Sequence, residues 1–280
     1  MNRKKIKTPG KGKYTNLIIG LVFISILIFA AVLADVIAPY AVDYADMSNK
    51  FKAPCSSHLF GTDDYGRDVY SRVIYGSRIA LKVAVLSVVI QLVLGVSFGL
   101  ISGFFGGFVD RGLCFLMDVS WAMPPLIMAF AVISIIGKSL DNAIIAISVV
   151  SWASYARIVR AKTMSIKNMA FIETAVAFGE SKTAIMFRYI LPNIVPSLVV
   201  IASMSIPGAI MSTTALSYLG LGAQSPSPDW GLALSDSLKN INRAPWLGIY
   251  PGIALVLTTL GFMQLGEGIR DLLDPHMKTE

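Results

Sequence analysis

Six stretches of this chain, roughly 17–37, 79–103, 114–137, 141–161, 193–219 and 246–268, run almost uncharged for the length of a membrane crossing. A helix needs about 20 apolar residues to cross a hydrocarbon layer of roughly 30 Å. The runs therefore predict an all-α, polytopic membrane protein with six transmembrane helices. Composition agrees, because only 15% of the 280 residues are charged, against about 25% in a soluble domain. Short polar connections separate the runs, except for the longer stretches near 38–78, 162–192 and 220–245.

The net charge of +7 does not point to nucleic acid, since membrane proteins keep an excess of Lys and Arg on the cytoplasmic side. Arg3, Lys4, Lys5, Lys7, Lys11 and Lys13 precede the first run and put the N-terminus in the cytoplasm. Six crossings return the C-terminus there, with Arg270 and Lys278. The connection between the fourth and fifth runs carries Arg157, Arg160, Lys162, Lys167, Lys182 and Arg188 and faces the same side. The first run is too long for a signal-peptide core and lacks a small-x-small cleavage site, so a retained span is expected.

The spans contain breakers: Pro124-Pro125 in the third, and Pro196 with Pro207-Gly208 in the fifth. In lipid, a backbone group freed by a breaker must find neighbouring protein or water. Kinked spans thus tend to face a bundle interior or a pathway. Pro124, Pro125, Pro207 and Gly208 are the candidate path residues.

Between the fourth and fifth runs lies ETAVAFGESKTAIMFRYILP (173–192), long enough to cross a membrane but too polar to do so. It reads as two short helices. In the first, Ile172 and Val176 share a face and Glu173 lies off it. In the second, Ile185, Met186, Tyr189 and Ile190 share a face. Gly179 can adopt the sharp turn between them, and Pro192 is expected to end the second helix and redirect the chain into span five. The product is a part-apolar elbow suited to docking on another protein.

Glu173, Thr174, Ala175 and Gly179, followed by Ile190-Leu191-Pro192, resemble the "EAA" coupling motif of permease subunits in ATP-binding-cassette importers, with Thr174 where the motif often has Ala. HLFGTDDYGRDVYSRVIYGSR (58–78), GFFGGFVDR (103–111), SWASYARIVR (151–160), LSYLGLGAQSPSPDWG (216–231) and APWLGIYPG (244–252) are similar to the dipeptide, oligopeptide and nickel subfamily. The tail IRDLLDPHMKTE (269–280) looks closest to nickel-type members. The resemblance implies a type I importer permease fold in a bacterial plasma (inner) membrane. It also implies a second homologous permease subunit, two ABC ATPase subunits or domains, and an extracytoplasmic substrate-binding protein. Residues 1–78 are then a basic N-terminus, first span and outer loop, and 79–280 a five-helix core with the coupling loop at 162–192. The cargo would be peptides or a chelated nickel ion.

Energy and chemistry would come from elsewhere. GESKT (179–183) lacks the second glycine and the strand of a phosphate-binding loop. H-E-x-x-H is absent, neither His58 nor His276 lies within a span, and Asp118 is the sole aspartate more than two residues inside one. The chain is not expected to be an enzyme or to hold a cofactor or metal. Cys55 and His58 form C-x-x-H in the outer loop, but two ligands do not make a site. Apart from the resemblance, an ion- or proton-coupled secondary transporter stays open, with Asp118, Gln91, Gln264 and Glu267 as its candidate polar groups.

Overall fold

Hydropathy sets the order of the helices in the computed structural model, which describes residues 14–273. The basic residues Arg3 to Lys13, and His276 and Lys278 of the tail, lie outside the described residues. The helices are α1 (Thr15–Val32), the short α2 (Ala34–Ile37), α3 (Val69–Phe105), α4 (Gly107–Trp121), α5 (Pro125–Ile136), α6 (Leu140–Lys167), α7 (Ala170–Ala177), α8 (Lys182–Ala184), α9 (Leu191–Tyr218), α10 (Trp230–Leu238) and α11 (Trp246–Leu273). A π-helical stretch, Ile185–Ile190, joins α8 to α9 so that Lys182–Tyr218 is one uninterrupted rod.

Five of these segments are long and apolar enough to cross a membrane: α1, α3, α6, Lys182–Tyr218 and α11. The expected third span is not straight. Its two halves, α4 and α5, meet at 95° and make a sixth crossing only as a broken pair. Pro125 opens α5 without an N–H to give, and Pro124 before it is held extended at ψ 133°. A residue preceding proline is pushed out of the helical region, so two prolines in a row stop one helix and start another.

The bundle is held by close backbone approach. Gly95, Gly99 and Gly103 recur every four residues along one face of α3. A Cβ on Gly95 would lie 2.3 Å from the Tyr155 Cβ, and one on Gly99 would lie 2.6 Å from the Ala156 carbonyl oxygen. On Gly103 it would meet the Arg160 carbonyl at 2.7 Å. The glycines thus let α6 settle into α3, the packing mode that dispersion favours where lipid supplies no hydrophobic drive. In α1, Gly20 admits Leu265 of α11. In α11, Gly261 admits Phe23 and Gly268 admits Leu17 of α1.

One end of the bundle carries a cap made by the 38–68 loop, α10 and the first turns of α3 and α11. Here α3 starts ten residues before the expected span. Asp68 caps it, one carboxylate oxygen accepting from the Ser71 N–H and hydroxyl, both at 2.8 Å. The other oxygen meets His58 Nδ1 at 3.0 Å. Asp63 accepts the N–H groups of Tyr65 and Arg67 at 2.9 Å and the Arg67 Nε at 2.6 Å. The Arg72 guanidinium donates to the carbonyls of Pro226 and Ser227 at 3.1 and 2.8 Å. The charges of GTDDYGRD are thus largely consumed in shaping their own loop. His58 is committed to Asp68, while the Cys55 thiol meets the Ser57 hydroxyl at 3.2 Å.

Candidate functional site

The elbow at the other end of the bundle is built by a glycine. At the end of α7 the Gly179 N–H bonds to the Val176 carbonyl at 3.0 Å, and the Glu180 N–H to the Ala175 carbonyl at 3.1 Å. This is the crossed pair of a Schellman end, which needs a left-handed residue, and Gly179 has φ +80°. Any other L residue there costs about 1–2 kcal/mol. Ser181 opens the second limb by accepting the Ala184 N–H on its hydroxyl at 3.2 Å. The limbs are tied where the Tyr189 hydroxyl donates to Glu180 at 3.2 Å.

The elbow's inner face is apolar. Ile172, Ala175, Ile185, Met186 and Ile190 are buried against Leu100 and Phe104 of α3, Val159 and Ile166 of α6, and Ile194 and Leu198 of α9. Three spans therefore end on one small hinge. The expected pairing of Ile172 with Val176 is wrong in its second member. Val176 is 59% exposed, and the small Ala175 takes the buried place, letting α7 lie closer to the bundle. Outward point Glu173, Thr174 and Gly179, with Phe171, Phe178 and Phe187 also exposed. Phe178 at the tip is 85% exposed.

Pro192 does not end the second limb as expected. It is exposed, with Ile190 buried and Leu191 half-buried beside it, and the helix continues past it. The Leu191 N–H bonds back five residues to the Met186 carbonyl. Asn193 supplies a side-chain donor to the Tyr189 carbonyl at 2.7 Å. A wide π turn just before the proline absorbs the missing N–H and the crowding of its ring.

The second feature is the break between α4 and α5. Pro124 and Pro125 border an open cavity of about 460 Å³, together with Trp121, Met123, Ser151 and Ser154. Pro207 and Gly208 are not part of it; Pro207 is half-buried within α9, and Gly208 faces open space. The four candidate path residues are therefore not brought together. α4 is braced on α6 by two ion pairs, Arg157–Asp118 at 2.6 Å and Arg160–Asp110 at 2.5 Å, and Arg157 also lies 4.7 Å over the Trp121 ring. Asp118 is thus a neutralised partner, not an isolated intramembrane acid. Glu267 accepts from Asn16 at 3.4 Å. Sequence reasoning missed Ser151 and Ser154, although their i, i+3 spacing in SWAS was there to place them on one face.

Residues 95–279 match the family described as "Binding-protein-dependent transport system inner membrane component". The chain is 40% identical to the dipeptide transport system permease protein DppC of Alkalihalophilus pseudofirmus, over 99% of this chain and 90% of that one. It is 39% identical to the glutathione transport system permease protein GsiD of Pectobacterium atrosepticum, over 92% and 86% of the two. Its fold is similar to that of a chain in an inward-facing MetNI methionine ABC transporter, with a TM-score of 0.57 and 18% identity over 72% of this chain and 96% of the other.

Proposed function

From the premise that this chain belongs to the binding-protein-dependent transport inner-membrane component family, we propose that it moves short peptides and that the 170–190 elbow takes its drive from a separate ATPase. As a permease subunit of an ABC importer, the chain is a transport component and not an enzyme. Peptide cargo is favoured by the relatives, one a dipeptide permease and the other a permease for glutathione, itself a small peptide.

One observation carries the coupling role: a glycine-built elbow buries its inner face on three spans while leaving apolar side chains outside. An exposed apolar tip in water is a surface waiting for a partner. Glu173, Thr174, Ala175, Gly179, Ile190, Leu191 and Pro192 make up the coupling element in this reading. Phe178 is the anchor, and Ala175 and Ile190 are the contacts passing motion inward. The elbow end then faces the cytoplasm with both termini, and the outer cap faces the substrate-binding protein. Residues 1–78 are the basic N-terminus, first span and outer loop, and 79–280 the five-helix core; a second permease subunit covers α4, of which only Met117 is buried. Closure of the ATPase pair shifts the elbow, and the spans that rest on it exchange one opening for the other. Coupling of this sort needs a docked element with two arrangements.

The test is co-purification. Phe178→Asp should leave the permease pair assembled but reduce recovery of the ATPase subunits and abolish ATP-dependent dipeptide uptake in proteoliposomes. Undiminished uptake with Phe178→Asp would rule out the elbow as the docking element.

A further inference from the structure

The broken span brings together unpaired hydrogen-bonding groups that the coupling mechanism does not use. Ser151 and Ser154 lie three residues apart on α6 and both line the cavity of about 460 Å³ at the break. Neither hydroxyl has a hydrogen-bond partner among the described residues. Ser120, which lines the cavity from α4, is already engaged, donating to the Leu116 carbonyl at 3.0 Å. Across the break, the N–H groups of Ile127 and Met128 fold back on the Pro124 carbonyl at 3.0 and 3.2 Å. Leu126, the first residue of α5 with an N–H, lies at the position where a helix leaves its donor unsatisfied. Irregular backbone at membrane depth persists only where protein or a wet cavity meets it. Trp121 and Met123, both more than half exposed, supply an apolar wall.

We infer that this cavity is a substrate subsite that holds the backbone amides of a short peptide, with Ser151 and Ser154 as its hydrogen-bonding residues. A hydroxyl both donates and accepts, which suits an amide's N–H and C=O. No carboxylate, imidazole or thiolate lines the cavity, so a bare divalent cation finds no ligand set there. Asp118 and Arg157, on the helices that carry the lining, pair with each other at 2.6 Å. The volume falls within the range of about 300–1,000 Å³ typical of small-ligand sites. A site that reads backbone and offers only Trp121 and Met123 to side chains accepts peptides of varied sequence. The inference rests on the peptide-importer reading above.

The experiment uses the full importer in proteoliposomes, with partner permease, ATPase subunits and binding protein. Ser151→Cys and Ser154→Cys are labelled with a cationic methanethiosulfonate reagent, and labelling of the unsubstituted chain, which carries Cys55 and Cys114, is subtracted. Both positions are expected to label. L-alanyl-L-alanine at ten times its half-saturating concentration is expected to slow labelling about tenfold, because only about one site in eleven is then free. Ser134→Cys on α5, away from the cavity lining, should label at the same rate with and without dipeptide. Cysteines at 151 and 154 that fail to label, or that dialanine leaves unprotected while uptake is normal, overturn the subsite alone. If the unsubstituted importer takes up no dialanine with ATP, the peptide reading falls and the subsite with it.

Discussion

At Gly179 it is backbone conformation, not packing, that calls for glycine. No atom lies within 4 Å of where its Cβ would be, so no packing requires glycine; the φ of +80° does. Gly179→Val should insert and assemble normally, yet strain the turn by about 1–2 kcal/mol. More ATP should be hydrolysed per dipeptide delivered, measured as the ratio of the two fluxes in proteoliposomes. At the opposite end, Asp229 caps α10 by accepting the Leu232 N–H at 2.9 Å, and burial raises its carboxyl above the ordinary carboxylate value. The folded state thus holds that proton more tightly than the unfolded chain. The group's contribution is complete below the ordinary value of about 4 and is lost as pH rises through the raised one. Asp229→Asn keeps a capping oxygen and sheds the charge. Its melting temperature should fall less than the wild type's over that window, as thermal denaturation at stepped pH would reveal.

Among the elements, the pair α3 and α6 depends on the absence of side chains. Gly99→Leu would drive a side chain into the Ala156 carbonyl, where even a Cβ lies 2.6 Å away. Overpacking of this kind costs about 1–3 kcal/mol or more, so the yield of monodisperse protein in detergent should collapse. Gly112→Ala on α4 is the counterpart, with no atom within 4 Å. It should be neutral or stabilise by up to about 1 kcal/mol through helix propensity, read as an unchanged or higher melting temperature. The four-residue spacing of the glycine stripe was visible in the sequence, although it was passed over. The start of α3 at Val69 was not legible, because its first turns are polar and are stabilised by the distant cap: Arg72 on the 226–227 carbonyls, and Trp230 Nε1 on the Val73 carbonyl at 3.1 Å.

For the molecule as a whole, hydropathy was a sufficient guide wherever lipid sets the rule, and the spans fall close to where the apolar runs predict them. It failed where backbone geometry competes with burial. Pro124-Pro125 signalled irregularity, yet nothing local distinguishes a kink from a bend of 95°. Pro192 signalled a stop, but a π turn and the Asn193 side chain supplied what the proline lacks. The elbow was legible because one glycine and two apolar faces encode it; which small residue sits inward depended on how closely α7 meets α3 and α6. That uninterrupted passage past Pro192 has a mechanical corollary. The second limb of the elbow and the fifth crossing form one 37-residue rod, about 55 Å long. A pivot of only about ten degrees near its lower end would sweep the far tip through roughly 10 Å, comparable to the width of a helix, so a small displacement at the elbow would be magnified at the opposite end of the rod.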